Sequence, residues 1–273
     1  MRRSFTVGLL LLSVLGVGQA SETTKQTEPA ESRKSVIVLV AYGGWAPRAI
    51  DEAPRLVVYE DGEAITRRES GRRMRFFTGR VASDRLHAIL RDIRNLTDYS
   101  RLRSFYDLSG GASDQPEVCI AIDLGNELYA TVIRGLGPDR PKKNEQRPAE
   151  LPEPLWRLYT GLYETSFPMR DSWAPDQICV VSYPSEHEPS DADCGWPSSW
   201  PTPKQVMTET GLDRYSTLLP YSLEKQVQKT LRACQGRLKI DDRSWWTHYR
   251  LVFPGEERWR VAFREALTDA SSP

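Results

Sequence analysis

Four cysteines, three histidines and one acid-rich stretch are the residues of this chain whose types could carry chemistry. The cysteines are Cys119, Cys179, Cys194 and Cys234. They show no CxxC spacing and form no Cys/His cluster at metal spacing, which argues against a structural zinc site. An even number of cysteines in an oxidising compartment favours disulfides, and four allow three pairings. Cys194 stands in a polar loop beside Gly195 and Trp196, and Cys234 closes an expected helix. The expected pair is therefore Cys194–Cys234, because a loop can move to meet a helix end. Cys119 and Cys179 fall inside expected strands and also read as small buried residues, as free cysteine often is.

The histidines are His87, His187 and His248. No HExxH places two ligands on one helical face, and no GxSxG supplies a nucleophile elbow. Gly43-Gly44 and Gly110-Gly111 read as turns rather than phosphate cradles. The ligand-rich stretch is Glu186-His187-Glu188 with Asp191 and Asp193. Hard cations take several oxygens from one loop, but this spacing is not an EF-hand, so the stretch reads as a solvated acidic loop. No metal and no cofactor is expected. Trp196 and Trp200, set among prolines, are the candidate binding residues, either as an exposed aromatic ledge for sugar or peptide or packed beneath their loop. Asn95-Leu96-Thr97 fits a glycan acceptor, yet Leu96 lies on an apolar helix face, so the match is read as chance.

The beginning of the chain predicts a compartment. Arg2 and Arg3 precede an apolar run over Val7–Val17, and Ala20 is a small residue suited to a peptidase pocket. That order is the one of a secretory leader, and the run is too short to span a ~30 Å hydrocarbon core. Residues 1–20 are expected to be removed, leaving a protein that is soluble, exported to periplasm or medium, and without a transmembrane segment. The whole chain holds 37 basic and 37 acidic residues, and the loss of Arg2 and Arg3 leaves 35 against 37, a net charge of −2. Such a balance makes no electrostatic case for nucleic acid.

The elements that must position these residues follow from periodicity and turn chemistry. Residues 21–34 are polar and read as a flexible leader. Ser35–Ala41 reads as a strand, and 55–60 with 63–68 as a hairpin about Asp61-Gly62, both turn positions taking φ > 0. A further strand is expected over 73–79. A helix starts at Ser83, with Leu86, Ile89, Leu90, Ile93 and Leu96 on its apolar face. A second hairpin covers 117–123 and 128–134, and a second helix from Glu153 turns Leu155, Leu158, Tyr159 and Leu162 inward. In the last hundred residues we expect a strand at 177–183, a loop over 184–203, and a short helix from Thr202-Pro203 to Gly211. A helix from Ser222 to Cys234 follows, then a strand at 246–253, and a strand or helix carrying Trp259, Val261 and Phe263. Hairpins joined to separate helices indicate an α+β fold, with antiparallel sheet and helices packed on one face. The expected units are 35–170 and a second subdomain, 171–273, packed on the first.

Gly43-Gly44, the run Pro54-Arg55-Leu56-Val57-Val58-Tyr59-Glu60-Asp61-Gly62 and Asp114-Gln115-Pro116 with its hairpin resemble a family of uncharacterised exported bacterial proteins. Trp200-Pro201, Cys234 at its helix end, Trp246 and Tyr249–Pro254 are similar as well, so the likeness covers most of the chain beyond residue 20. The resemblance implies an architecture and a compartment but carries no catalytic residues. Residues 36–165, with double glycine, helix, hairpin and closing helix, are also similar to emfourin-type inhibitors of secreted metalloproteases, to whose pattern the Asp61-Gly62 hairpin is an addition. The expectation is therefore a non-catalytic exported module that binds an extracellular or envelope protein or ligand. The alternatives are an emfourin-like protease inhibitor, and a hydrolase whose scattered catalytic residues include His187 or His248 with a carboxylate.

Overall fold

Every residue of β1, Ser35–Tyr42, is buried. A strand buried on both faces must lie inside a sheet covered on both sides. The computed structural model describes residues 33–43, 53–70, 73–96, 102–112, 114–125, 127–137, 139, 145–164, 168–185, 194–207 and 213–269. The expected export signal and all but Arg33 and Lys34 of the expected leader lie outside them. Around β1 are ordered β2 (Leu56–Tyr59), β3 (Glu63–Ser70), β4 (Arg73–Arg80), β5 (Phe105–Asp107), β6 (Glu117–Asp123), β7 (Leu128–Arg134) and β8 (Met169–Trp173), in the sequence β5-β7-β6-β1-β2-β3-β4-β8. Helices α1 (Ser83–Leu96) and α2 (Glu153–Glu164) connect them.

Alternation along β1 divides the core. Ile37, Leu39 and Ala41 join Leu86 and Ile93 of α1 and Leu155, Leu158, Tyr159 and Leu162 of α2 in one apolar cluster. Val38, Val40 and Tyr42 point the other way, into a cluster with Phe253 and with Trp259, Phe263 and Ala266 of α4 (Glu256–Asp269). Helices thus cover both faces of the first sheet, not one. The segment holding Trp259, Val261 and Phe263 is this helix, and the expected second unit lends its last element to the first sheet.

The second sheet runs β10-β13-β14-β9-β12-β11. Its strands are β9 (Gln177–Pro184), β10 (Cys194–Gly195), β11 (Lys204–Met207), β12 (Asp213–Pro220), β13 (Arg237–Ile240) and β14 (Arg243–Leu251). Helix α3 (Glu224–Ala233), entered through a 3-10 turn at Tyr221–Leu223, places Val227 against Ile178, Val180, Leu219 and Leu238. Both sheets are mixed: β5 pairs parallel with β7 and β10 parallel with β13, so the class is α+β but the sheets are not purely antiparallel.

Two local expectations change. The Thr202-Pro203 cap signal opens no helix; residues 204–207 pair antiparallel with β12, from Lys204↔Ser216 to Met207↔Asp213. The ladder supplies backbone partners that a short helix, with most of its N–H and C=O groups in its two end turns, could not match. Gly211, the expected helix end, lies outside the described residues. In the β2–β3 hairpin only Gly62 takes positive φ, at 82°. Residues 60–62 form the connection between Val58↔Ala64 and its turn, a three-residue loop rather than a two-residue one.

Candidate functional site

The second sheet has two unlike faces. Register places Ile178 and Val180 of β9 with Leu219 of β12 towards α3. The alternate positions make the other face. There Lys204 stands opposite Ser216, Ser216 opposite Val181, and Val181 opposite His248. In the neighbouring row Leu218 and Arg250 flank Cys179. At the far end Tyr183 is opposite Trp246, and Trp246 opposite Arg237. By strand alternation Arg214 lies on this side with Ser216, and Lys239 with Arg237. Five basic side chains, Lys204, Arg214, Arg237, Lys239 and Arg250, therefore share one sheet face whose described strand residues include no carboxylate. In a chain of balanced charge this is a pronounced segregation.

One end of this face is overhung. Arg33–Ser35 and the first turns of α4 face it across a cleft of about 1150 Å³, with Lys204, Arg214, Cys179, Val181, Leu218 and Arg250 on the sheet side. Gly255 allows the overhang. Its φ is +65°, and a Cβ there would sit 1.9 Å from the Arg33 carbonyl oxygen. Only glycine fits both demands.

Carboxylates hold the cations of the overhang in place. Arg33 pairs with Asp61 at 2.7 Å and Glu63 at 2.9 Å, and lies over the Tyr59 ring at 4.4 Å. Lys34 meets the buried Asp123 at 3.3 Å, and Arg258 binds the same carboxylate. Arg264 reaches Glu257 at 3.1 Å. Glu256 is buried between Arg250 and Arg260, and its carboxylate also accepts the Phe253 N–H at 3.0 Å. Burial pushes the Glu256 carboxyl up, but Arg260, then Arg250 and the Phe253 N–H outweigh it and hold the group below its usual range. Glu256 thereby ties the turn that precedes α4 to Arg250 and Arg260.

The residues singled out in the sequence lie elsewhere or serve other purposes. Cys194 and Cys234 form a disulfide, which fastens β10 and its loop to the end of α3. Cys119 and Cys179 are buried thiols outside the disulfide, and burial pushes the Cys119 thiol well up. Trp200 is 5% exposed, belongs to the cluster beneath α3, and meets Trp196 edge-on at 5.3 Å. Trp196 donates to the Pro201 carbonyl at 3.1 Å. A far more open indole, Trp246 at 44% exposure, stands on the opposite face of the sheet. The alternation of Trp246, His248 and Arg250 along one strand was the available signal for it; which side would be buried was not. His87 is exposed on α1. His248 stacks on Tyr183 at 5.7 Å, 7° from parallel. Glu186, His187, Glu188, Asp191 and Asp193 lie outside the described residues. Among the described residues no group of three or more His, Cys, Asp or Glu is placed to hold a metal, and no helix is long and apolar enough to cross a membrane.

No protein-family model, no curated protein and no solved structure matches the chain.

Proposed function

We propose that this chain is an exported, non-catalytic binding module and that its ligand is an anion, held on the cationic face of the second sheet where α4 overhangs it. The observation that carries the reading is the gathering of Lys204, Arg214, Arg237, Lys239 and Arg250 on one face without a carboxylate among its described strand residues. A low-dielectric wall bearing one sign of charge concentrates ligands of the opposite sign. Cys179, Val181, Leu218 and Phe253 contribute such a wall to the cleft. Export is supported by the leader-like order of residues 1–20 and by the Cys194–Cys234 disulfide, which suits an oxidising compartment.

The test is titration calorimetry with inorganic polyphosphate at low and at raised salt. Binding should be present at low salt, weaken as salt screens the charges, and fall in the Lys204→Glu/Arg214→Glu variant checked for native circular dichroism. Binding that survives this double charge reversal, or no binding at low salt, overturns the reading.

A further inference from the structure

We propose that the ligand of this face is an acidic oligosaccharide, with a sugar ring stacked on Trp246 and its carboxylate or sulfate groups reaching towards Lys204 and Arg214. The inference rests on the anion-binding reading above and adds the class of ligand.

Charge alone would suit any polyanion; the rings narrow it. Trp246 is 44% exposed in the middle of a strand. The Arg237 guanidinium lies 5.8 Å from its ring centroid. Its cross-strand neighbour Tyr183 stacks in turn on His248. Aromatic surface thus begins where the cleft ends, on the same side of the sheet. Lys204 stands in the row of His248, three strands from β14, so it lies about 14 Å across the sheet from the aromatic end at the usual strand spacing. One small anion cannot touch both ends. An oligomer can, if it offers a flat apolar patch at one end and negative charge at the other. A pyranose supplies the patch through its C–H face, and a uronate or sulfated unit supplies the charge.

Single-stranded nucleic acid is the rival, since bases also stack on aromatics beside cations. The Cys194–Cys234 disulfide, on the same sheet, favours an oxidising compartment. The chain's balanced charge makes no electrostatic case for nucleic acid, so the saccharide is the ligand proposed.

The experiment uses the chain from Ser21 onward and reads Kd by calorimetry for four probes: an alginate hexamer, cellohexaose, inorganic polyphosphate and an eight-nucleotide oligothymidylate. Wild type is compared with Trp246→Ala, Trp246→Phe and Lys204→Glu. Trp246 and Lys204 are exposed, so these variants keep the core intact. We expect the alginate hexamer to bind and cellohexaose to bind far more weakly. Trp246→Ala should weaken the hexamer about tenfold, while Trp246→Phe, which keeps a ring, stays within about threefold of wild type. Polyphosphate should respond to Lys204→Glu but not to Trp246→Ala. If the hexamer and polyphosphate bind alike and neither responds to Trp246→Ala, the saccharide proposal falls while the anion-binding reading stands. If the oligothymidylate binds more tightly than the hexamer and loses that affinity in Trp246→Ala, nucleic acid replaces it. If no probe binds, both readings fall.

Discussion

Glu256 is the residue on which the overhang turns. Its buried carboxylate joins Arg250, whose side chain belongs to the cationic face, to Arg260 within α4. Its carboxyl is held below the unfolded value of 4.5, so the unfolded chain binds the extra proton first. The contribution to stability is then complete above that value, declines as pH falls beneath it, and is gone below the depressed folded value. We expect denaturant midpoints of the wild type to drop on acidification below about pH 4.5. Glu256→Gln should flatten that part of the profile. It should also cost about 3 kcal/mol at neutral pH, because two arginines lose their counter-charge in a buried site. A variant that keeps the wild-type acid slope would show that other carboxylates govern it.

At the scale of elements, the disulfide and the helix α1 make contrasting cases. Cys194 and Cys234 are 40 residues apart, and chain-entropy reasoning gives such a closure about 4 kcal/mol. The strand it secures, β10, has two residues and a single partner, β13. Reduction should therefore raise amide exchange over 194–200 before it affects β6 and β7, a difference read by hydrogen-exchange mass spectrometry; simultaneous loss in both regions would contradict it. On α1, apolar spacing counts Leu86, Leu90 and Ile93 alike, but Leu86 and Ile93 are buried and Leu90 only partly so. Leu86→Ala should cost about 2–5 kcal/mol and Leu90→Ala roughly half as much, since the loss follows the contacts removed. Chemical denaturation of the two variants decides whether that ranking holds.

Across the whole molecule, α4 is the tie. It comes last in the chain, directly after the second sheet, yet packs on the first, where Trp259 and Phe263 are fully buried with Val38, Val40 and Tyr59. Phe263→Ala should cost about 3–5 kcal/mol. The loss should appear as an earlier midpoint of one cooperative transition, because the helix that covers sheet one also forms the rim of the cleft on sheet two. Two separated transitions in the wild type, by tryptophan fluorescence and circular dichroism, would show that the sheets unfold independently and that α4 does not couple them.

Much of this was legible from local pattern. The apolar run of Ser35–Ala41, the apolar stripe of α1, the 117–134 hairpin, the inward residues of α2 and the pairing of Cys194 with Cys234 all follow from neighbours in the chain or from loop reach. The strands β5, β8, β12 and β13 were not marked, and 204–207 carried a helix signal. β5, β8 and β11 are edge strands and β12 and β13 lie inside the second sheet, yet all owe their conformation to the ladders they join, since their own residues hold little periodicity. The candidate site was the least legible part. Arg214, Arg237 and Arg250 are dispersed through a neutral sequence, and Trp246 follows another tryptophan that is buried at 5% exposure. Alternation alone determined that Trp245 and Trp246 face opposite ways. Only the tertiary structure decided which one would meet water, because α3 and the disulfide occupy one side of the sheet and leave the other to the cations.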